Sequence, residues 1–144
     1  DGVNVGKKNK NFEFLVALKN ILPELNNQSL PIVLPITEDE RMLKIIRFLE
    51  KNIGAQHSLK SVSNKFSISE RSISRLFQSN LHISFLQYLK TLRIIRAIEL
   101  LLKTNKTISE ISFAVGYDTL GAFSNTFYSF THSRPSDLRK SIKG

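Results

Sequence analysis

Residues 84–103, SFLQYLKTLRIIRAIELLLK, contain neither glycine nor proline, so nothing in them interrupts a helix. Ser84 is placed to cap the start, its hydroxyl accepting from an unpaired backbone N–H of the first turn. Lys103 stands at the end, where a cation complements the helix dipole. Such a helix is about 30 Å long. At helical spacing Phe85, Leu89, Leu92 and Leu100 gather on one side, and Ile94, Ile95, Ile98, Leu102 and Tyr88 on another. A surface helix needs one apolar stripe. Two stripes, with Lys90 and Arg93 in a gap between them, predict a strut packed on both sides.

The flanks of the strut resemble each other. Before it, Ser58–Phe66 predicts a short helix presenting Leu59, Val62 and Phe66. The turn Ser67-Ile68-Ser69 follows, then a helix from Glu70 to about Asn80, capped by Ser69, with Ile73, Leu76 and Phe77 inward. After the strut, Thr107 and Glu110 form a capping box, and a short helix carries Ile108, Ile111 and Val115. Gly116 makes the turn, and a further helix from about Leu120 to Phe130 turns Phe123, Phe127 and Phe130 inward. The first helices match at an offset of 49 and Phe77 matches Phe127 at 50, so the second turn is one residue longer. The chain therefore holds two helix-turn-helix units, at about 58–80 and 107–131, on either side of the strut. Pro135 opens a last helix, ending around Ile142.

Upstream, residues 1–36 read as a tail, a short apolar helix (Phe12–Leu22) stopped by Pro23, and a linker carrying Pro31 and Pro35. The chain starts on Asp1 rather than Met, which suggests a piece of a longer protein. Thr37 and Glu40 form another capping-box pattern, opening a helix to about Asn52 with Met42, Ile45, Ile46 and Leu49 inward and Gly54 as its stop. The domain of interest is thus 37–144. The fold class is all-α, with about seven helices.

Charge divides unevenly. Residues 51–144 hold 14 Lys and Arg against 5 Asp and Glu, whereas residues 1–50 hold 7 against 7. A basic half beside a neutral half points to a polyanionic partner. No cysteine is present, which excludes disulfides, thiolate catalysis and Cys-ligated zinc, and fits a reducing, cytoplasmic setting. His57, His82 and His132 stand 25 and 50 residues apart, so a metal site or catalytic dyad is not expected, and cap or surface roles are. No Gly-rich phosphate loop or Gly-x-Ser-x-Gly elbow appears, and no acid, base and nucleophile set converges. Neither an enzyme nor a cofactor is expected, and no apolar run is long enough for a membrane span.

A major groove about 12 Å wide admits one helix, and its faces recur every ~34 Å. A strut of about 30 Å suits two recognition helices in successive groove segments of one duplex. On the exposed face of the first would lie Arg71, Ser74, Arg75 and Gln78, all able to donate hydrogen bonds. Salt-bridge bracing is the other reading of Arg75. Arg93 and Arg96 are expected to serve structure, pairing with Glu99, Glu110 or helix C-termini. Phe113, Phe123, Phe127 and Phe130 are expected in the core. A competing reading is a protein-interaction module that docks through the apolar helix Phe12–Leu22.

Over roughly residues 40–142 the sequence resembles the DNA-binding domain of the AraC/XylS family of bacterial transcription regulators. The resemblance rests on Ile108-Ser109-Glu110-Ile111-Ser112-Phe113-Ala114-Val115-Gly116-Tyr117, on Phe123-Ser124 and Phe127, and on Pro135-Ser136-Asp137-Leu138-Arg139. In the strut it rests on Ser84-Phe85, Tyr88-Leu89, Leu92-Arg93, Arg96-Ala97 and Leu100-Leu101. It implies seven helices with two helix-turn-helix units, duplex DNA as partner, and RNA polymerase as a further one. It also implies a sensor or dimerisation domain upstream, of which residues 1–36 would be the end, with a homodimer formed through that region. Carried over by position, the second recognition helix presents Leu120, Gly121, Ala122, Ser124 and Asn125 to DNA. The sequence departs from the family at Ile95, where an acidic residue is common, at Asn125 for Arg, and at Tyr128 for Lys. Thr131-His132 replaces an aromatic-Gly pair, and Leu138 an aromatic.

Overall fold

The computed structural model describes residues 36–143, and all seven elements among them are helices. They are α1 (Glu40–Lys51), α2 (Leu59–Phe66), α3 (Glu70–Leu81), α4 (Phe85–Lys103), α5 (Ile108–Ala114), α6 (Leu120–Thr131) and α7 (Pro135–Lys143). The helix expected at Phe12–Leu22 and residues 24–35 of the linker lie outside the described residues.

Side chains at the helix starts set the boundaries. Ser69 accepts from Ser72 N–H at 3.1 Å and Ser84 from Gln87 N–H at 3.1 Å, as their positions predict. Thr107 and Glu110 form the expected reciprocal box, at 3.0 Å and 2.8 Å. Ser58 and Ser61 form a second reciprocal pair, the serine hydroxyl taking the part that glutamate plays at α5. The start of α1 differs from expectation. Its cap is Asp39, which accepts from Arg41 N–H at 2.9 Å and Met42 N–H at 3.2 Å. Thr37 is buried, two residues before the cap, and instead accepts from Asp39 N–H at 3.1 Å.

Helix α4 runs unbroken over 19 residues, but its two apolar stripes are not both buried along its whole length. In the first half Phe85, Tyr88, Leu89 and Leu92 are buried while Leu86, Gln87 and Lys90 face solvent. In the second half Ile94, Ile98 and Leu101 are buried, and Arg96 and Lys103 face solvent on what had been the inner side. The buried face thus crosses to the opposite side midway. Phe77 of α3 meets Phe85 and Tyr88 edge-on, both at 5.5 Å between centroids. Helices α5, α6 and α7 also pack on α4. One continuous apolar core runs from Met42 to Leu138.

The repeat extends further than its apolar positions. Ser69 and Thr119 cap α3 and α6, and His82 and His132 end them in the left-handed conformation, at φ 60° and 58°. Both histidines therefore serve as C-caps. His132 takes a backbone conformation that favours glycine, which the family usually has at this position. In the position of Leu81, Thr131 is buried and donates to Phe127 C=O at 2.9 Å, so its hydroxyl is satisfied in an apolar site.

Two further expectations need correcting. Phe113 is 57% exposed, because it lies on the side of α5 away from Ile111 and Val115. Gly54 has no positive φ and is not a left-handed helix stop. A Cβ there would stand 2.8 Å from Ala114 C=O, so close backbone approach is what requires glycine. Arg96 pairs with Glu99 as expected, and Arg93 also has a structural partner, donating to Ala55 C=O at 2.9 Å just beyond the end of α1. Arg139 ties the end of α4 to the loop after it, donating to Thr104 C=O at 3.2 Å and to Lys106 C=O.

Candidate nucleic-acid interface

Helix α3 is anchored by Ile73, Leu76, Phe77 and Leu81, all buried. That fixes which side is left outside. Arg71, Arg75 and Gln78 are exposed on it and Ser74 is half-buried between them. Their three- and four-residue spacing places them on one face. Ser67, in the left-handed conformation at φ 54°, closes α2 and turns the chain sharply into α3. Among the described residues the ion pairs are Arg41–Asp39, Arg96–Glu99 and Lys103–Glu99, and neither Arg71 nor Arg75 takes part in one. Among the described residues no ion pair braces Arg75. Both guanidiniums stand exposed, and neither takes part in an ion pair with the described residues.

Helix α6 is anchored by Phe123, Phe127 and Thr131. It leaves Gly121, Ala122 and Asn125 exposed and Ser124 half-buried. At the offset of 50, Gly121 matches Arg71, Ser124 matches Ser74, Asn125 matches Arg75 and Tyr128 matches Gln78. The second face therefore has the geometry of the first without its cations. Leu120 and Tyr128 are 43% and 53% exposed at its two ends. Tyr128 was named from the sequence only as a departure from the family. Its place opposite Gln78 in the repeat marks it as part of the face.

Gly121 stands inside a helix, where glycine costs stability. Its φ is not positive, and a Cβ there would meet nothing within 4 Å. Nothing within the described fold calls for a glycine at this point. Both faces begin at a capped helix N-terminus, where the backbone N–H groups and the helix dipole favour an anion. Among the described residues no group of three or more His, Asp or Glu is placed to hold a metal ion, and no helix is long and apolar enough to cross a membrane.

Comparison with known proteins places the chain among helix-turn-helix proteins. A family model described as a helix-turn-helix domain matches residues 62–141. An uncharacterised HTH-type transcriptional regulator of Staphylococcus aureus is 30% identical over 104 residues, which are 72% of this chain and 14% of that protein. This chain thus spans about one seventh of that relative's length. Among solved structures, the C-terminal domain of AraT, a response regulator from Geobacillus stearothermophilus, is 31% identical with a TM-score of 0.69. The match covers 72% of this chain and 86% of that one. A transcriptional regulator from Chromobacterium violaceum, described as an AraC-type DNA-binding domain-containing protein, is 27% identical with a TM-score of 0.66, covering 71% and 91%.

Proposed function

Because the chain belongs to the AraC/XylS family of helix-turn-helix transcription regulators, we propose that residues 37–144 bind duplex DNA sequence-specifically. In this reading α3 and α6 enter successive major-groove segments on one side of the duplex. The observation that carries it is the pair of matching exposed faces, one ending each helix-turn-helix unit and both borne on a single rod. Arg71, Ser74, Arg75 and Gln78 contact DNA from the first, and Gly121, Ala122, Ser124 and Asn125 from the second. Upstream residues 1–36 would end a sensor or dimerisation domain, and RNA polymerase would be the partner through which binding alters transcription.

The two faces read differently. The first carries two exposed arginines, each able to bond O6 and N7 of one guanine, a contact worth about 1–3 kcal/mol of discrimination. The second, from Leu120 to Thr131, has no Arg or Lys. It offers backbone N–H groups, small side chains and the Leu120 and Ala122 methyls, which suit phosphate positioning, thymine methyls and groove shape. The test measures binding to duplexes selected from a randomised library by the wild-type chain. Arg75→Ala should lower affinity about tenfold or more and relax preference at one base pair. Asn125→Ala should cost less discrimination. A larger loss from Asn125→Ala would reverse the assignment. Binding that does not weaken with added salt would remove the DNA reading itself.

A further inference from the structure

The segment leading into the first helix-turn-helix unit meets the second unit in a place apart from the rod. The segment between α1 and α2 lies directly on the turn between α5 and α6. Gly54 approaches Ala114 C=O so closely that a Cβ would stand 2.8 Å from that oxygen. Gly116, at φ +97°, approaches Ile53 C=O in the same way, at 2.9 Å. Gln56 donates from its side-chain amide to Gly116 C=O and lies within reach of the Asp118 carboxylate, both at 3.3 Å. Arg93, near the middle of the rod, reaches into this junction. Its Nη2 donates to Ala55 C=O, its guanidinium lies 5.7 Å from the centre of the Tyr117 ring, and a Cβ on Gly116 would touch it. Tyr117 in turn packs on Phe123 of α6, at 5.5 Å. A chain of contacts thus leads from the segment before α2, through Arg93 and Tyr117, to the base of the second recognition helix.

As a stabiliser this arrangement is poor. Among the described residues the Arg93 Nε is buried without a hydrogen-bond partner, and burial lowers the pKa of the guanidinium, with Tyr117 and Asp118 opposing. What the arginine supplies is direction. It is planar, with fixed donors, and joins a carbonyl of the segment before the first unit to a ring of the second.

We propose that Arg93 is a positioning residue: with the Ile53–Gln56 segment it sets the angle between α3 and α6, and through that angle the spacing of the two DNA boxes the chain accepts. The spacing part rests on the DNA-binding reading above; the angular part does not.

Two measurements separate them. The chain has no cysteine, so Ser79→Cys and Ser129→Cys, equivalent exposed positions on α3 and α6, take spin labels uniquely. Pulsed electron-paramagnetic-resonance distances between them should form one narrow distribution. Arg93→Met, with its helical content and unfolding midpoint checked, should widen that distribution at least twofold, and Arg93→Lys should restore it only in part. Gly54→Ala, which forces the junction open from its other side, should widen it too. An unchanged width in both Arg93→Met and Gly54→Ala would overturn the proposal.

The second measurement uses library-selected two-box duplexes and versions with one base pair added or removed between the boxes. Wild type should lose at least tenfold in affinity on the altered spacings, and Arg93→Met should lose threefold or less. A spacing penalty equal in wild type and variant would overturn the link to spacing. Failure of the wild type to bind any duplex would overturn the DNA reading and, with it, the spacing part alone.

Discussion

At the scale of single residues the most telling position is Gly121. It weakens its own helix, no neighbour within 4 Å of a Cβ requires it, and it stands where the first unit has Arg71. Gly121→Ala should therefore stabilise the protein by about 0.5–1 kcal/mol, read from the urea midpoint. If the DNA backbone or a base edge approaches here, the same methyl should lower duplex affinity severalfold. A variant that is stabler and binds equally well would move the DNA away from this end of α6. Residue identity and residue phase can disagree, and Phe113 shows which prevails. A phenylalanine in a helix invites a core assignment. Yet two residues from Ile111 is just over a half-turn, and the ring stands in solvent.

At the scale of elements, the helix starts were largely legible, because a cap acts over three residues and its partners are neighbours in sequence. Ser69, Ser84 and the Thr107–Glu110 pair all cap where their spacing says. Thr37 misled because Thr-Glu-Asp-Glu offers two caps in four residues. The choice fell to Asp39 through the burial of Thr37, which local sequence does not express. Glu110 gives a pH test. Accepting the Thr107 N–H holds its carboxyl below the ordinary glutamate value. A depressed folded pKa contributes stability that is present above the unfolded value, about 4.3, and lost as pH falls through the folded one. Glu110→Gln keeps an acceptor but cannot titrate, so its unfolding midpoint should fall less steeply than wild type between about pH 6 and about pH 3. Asp39, depressed chiefly by the Met42 N–H, keeps its own share of the slope. Parallel acid limbs in wild type and variant would mean that the box does not distinguish the charged carboxylate.

At the scale of the whole molecule, the rod belongs to both units, and its buried face changes sides between Leu92 and Ile94. Truncation near the crossing should therefore be felt on both sides. Ile98→Ala should cost about 2–5 kcal/mol, and amide exchange should quicken in α3 as well as in α6. Acceleration confined to α6 would mean two cores that unfold separately. The two-unit plan was readable from the offsets of 49 and 50, since repeated patterns need no knowledge of contacts. The junction was not. Arg93 and Ala55 are 38 residues apart and Gln56 and Gly116 are 60 apart, and neither pair has a signature in spacing. The crossing also restricts how such a chain can vary in length. One residue inserted at mid-rod would swing everything beyond it through about 100° and carry it about 1.5 Å onward. A B-form duplex advances about 3.4 Å for each base pair, so no whole-number change in the operator cancels that screw. An inserted or deleted residue should thus be tolerated in the loops but not within the nineteen residues of the rod, whose number answers to the pitch of the helix they face.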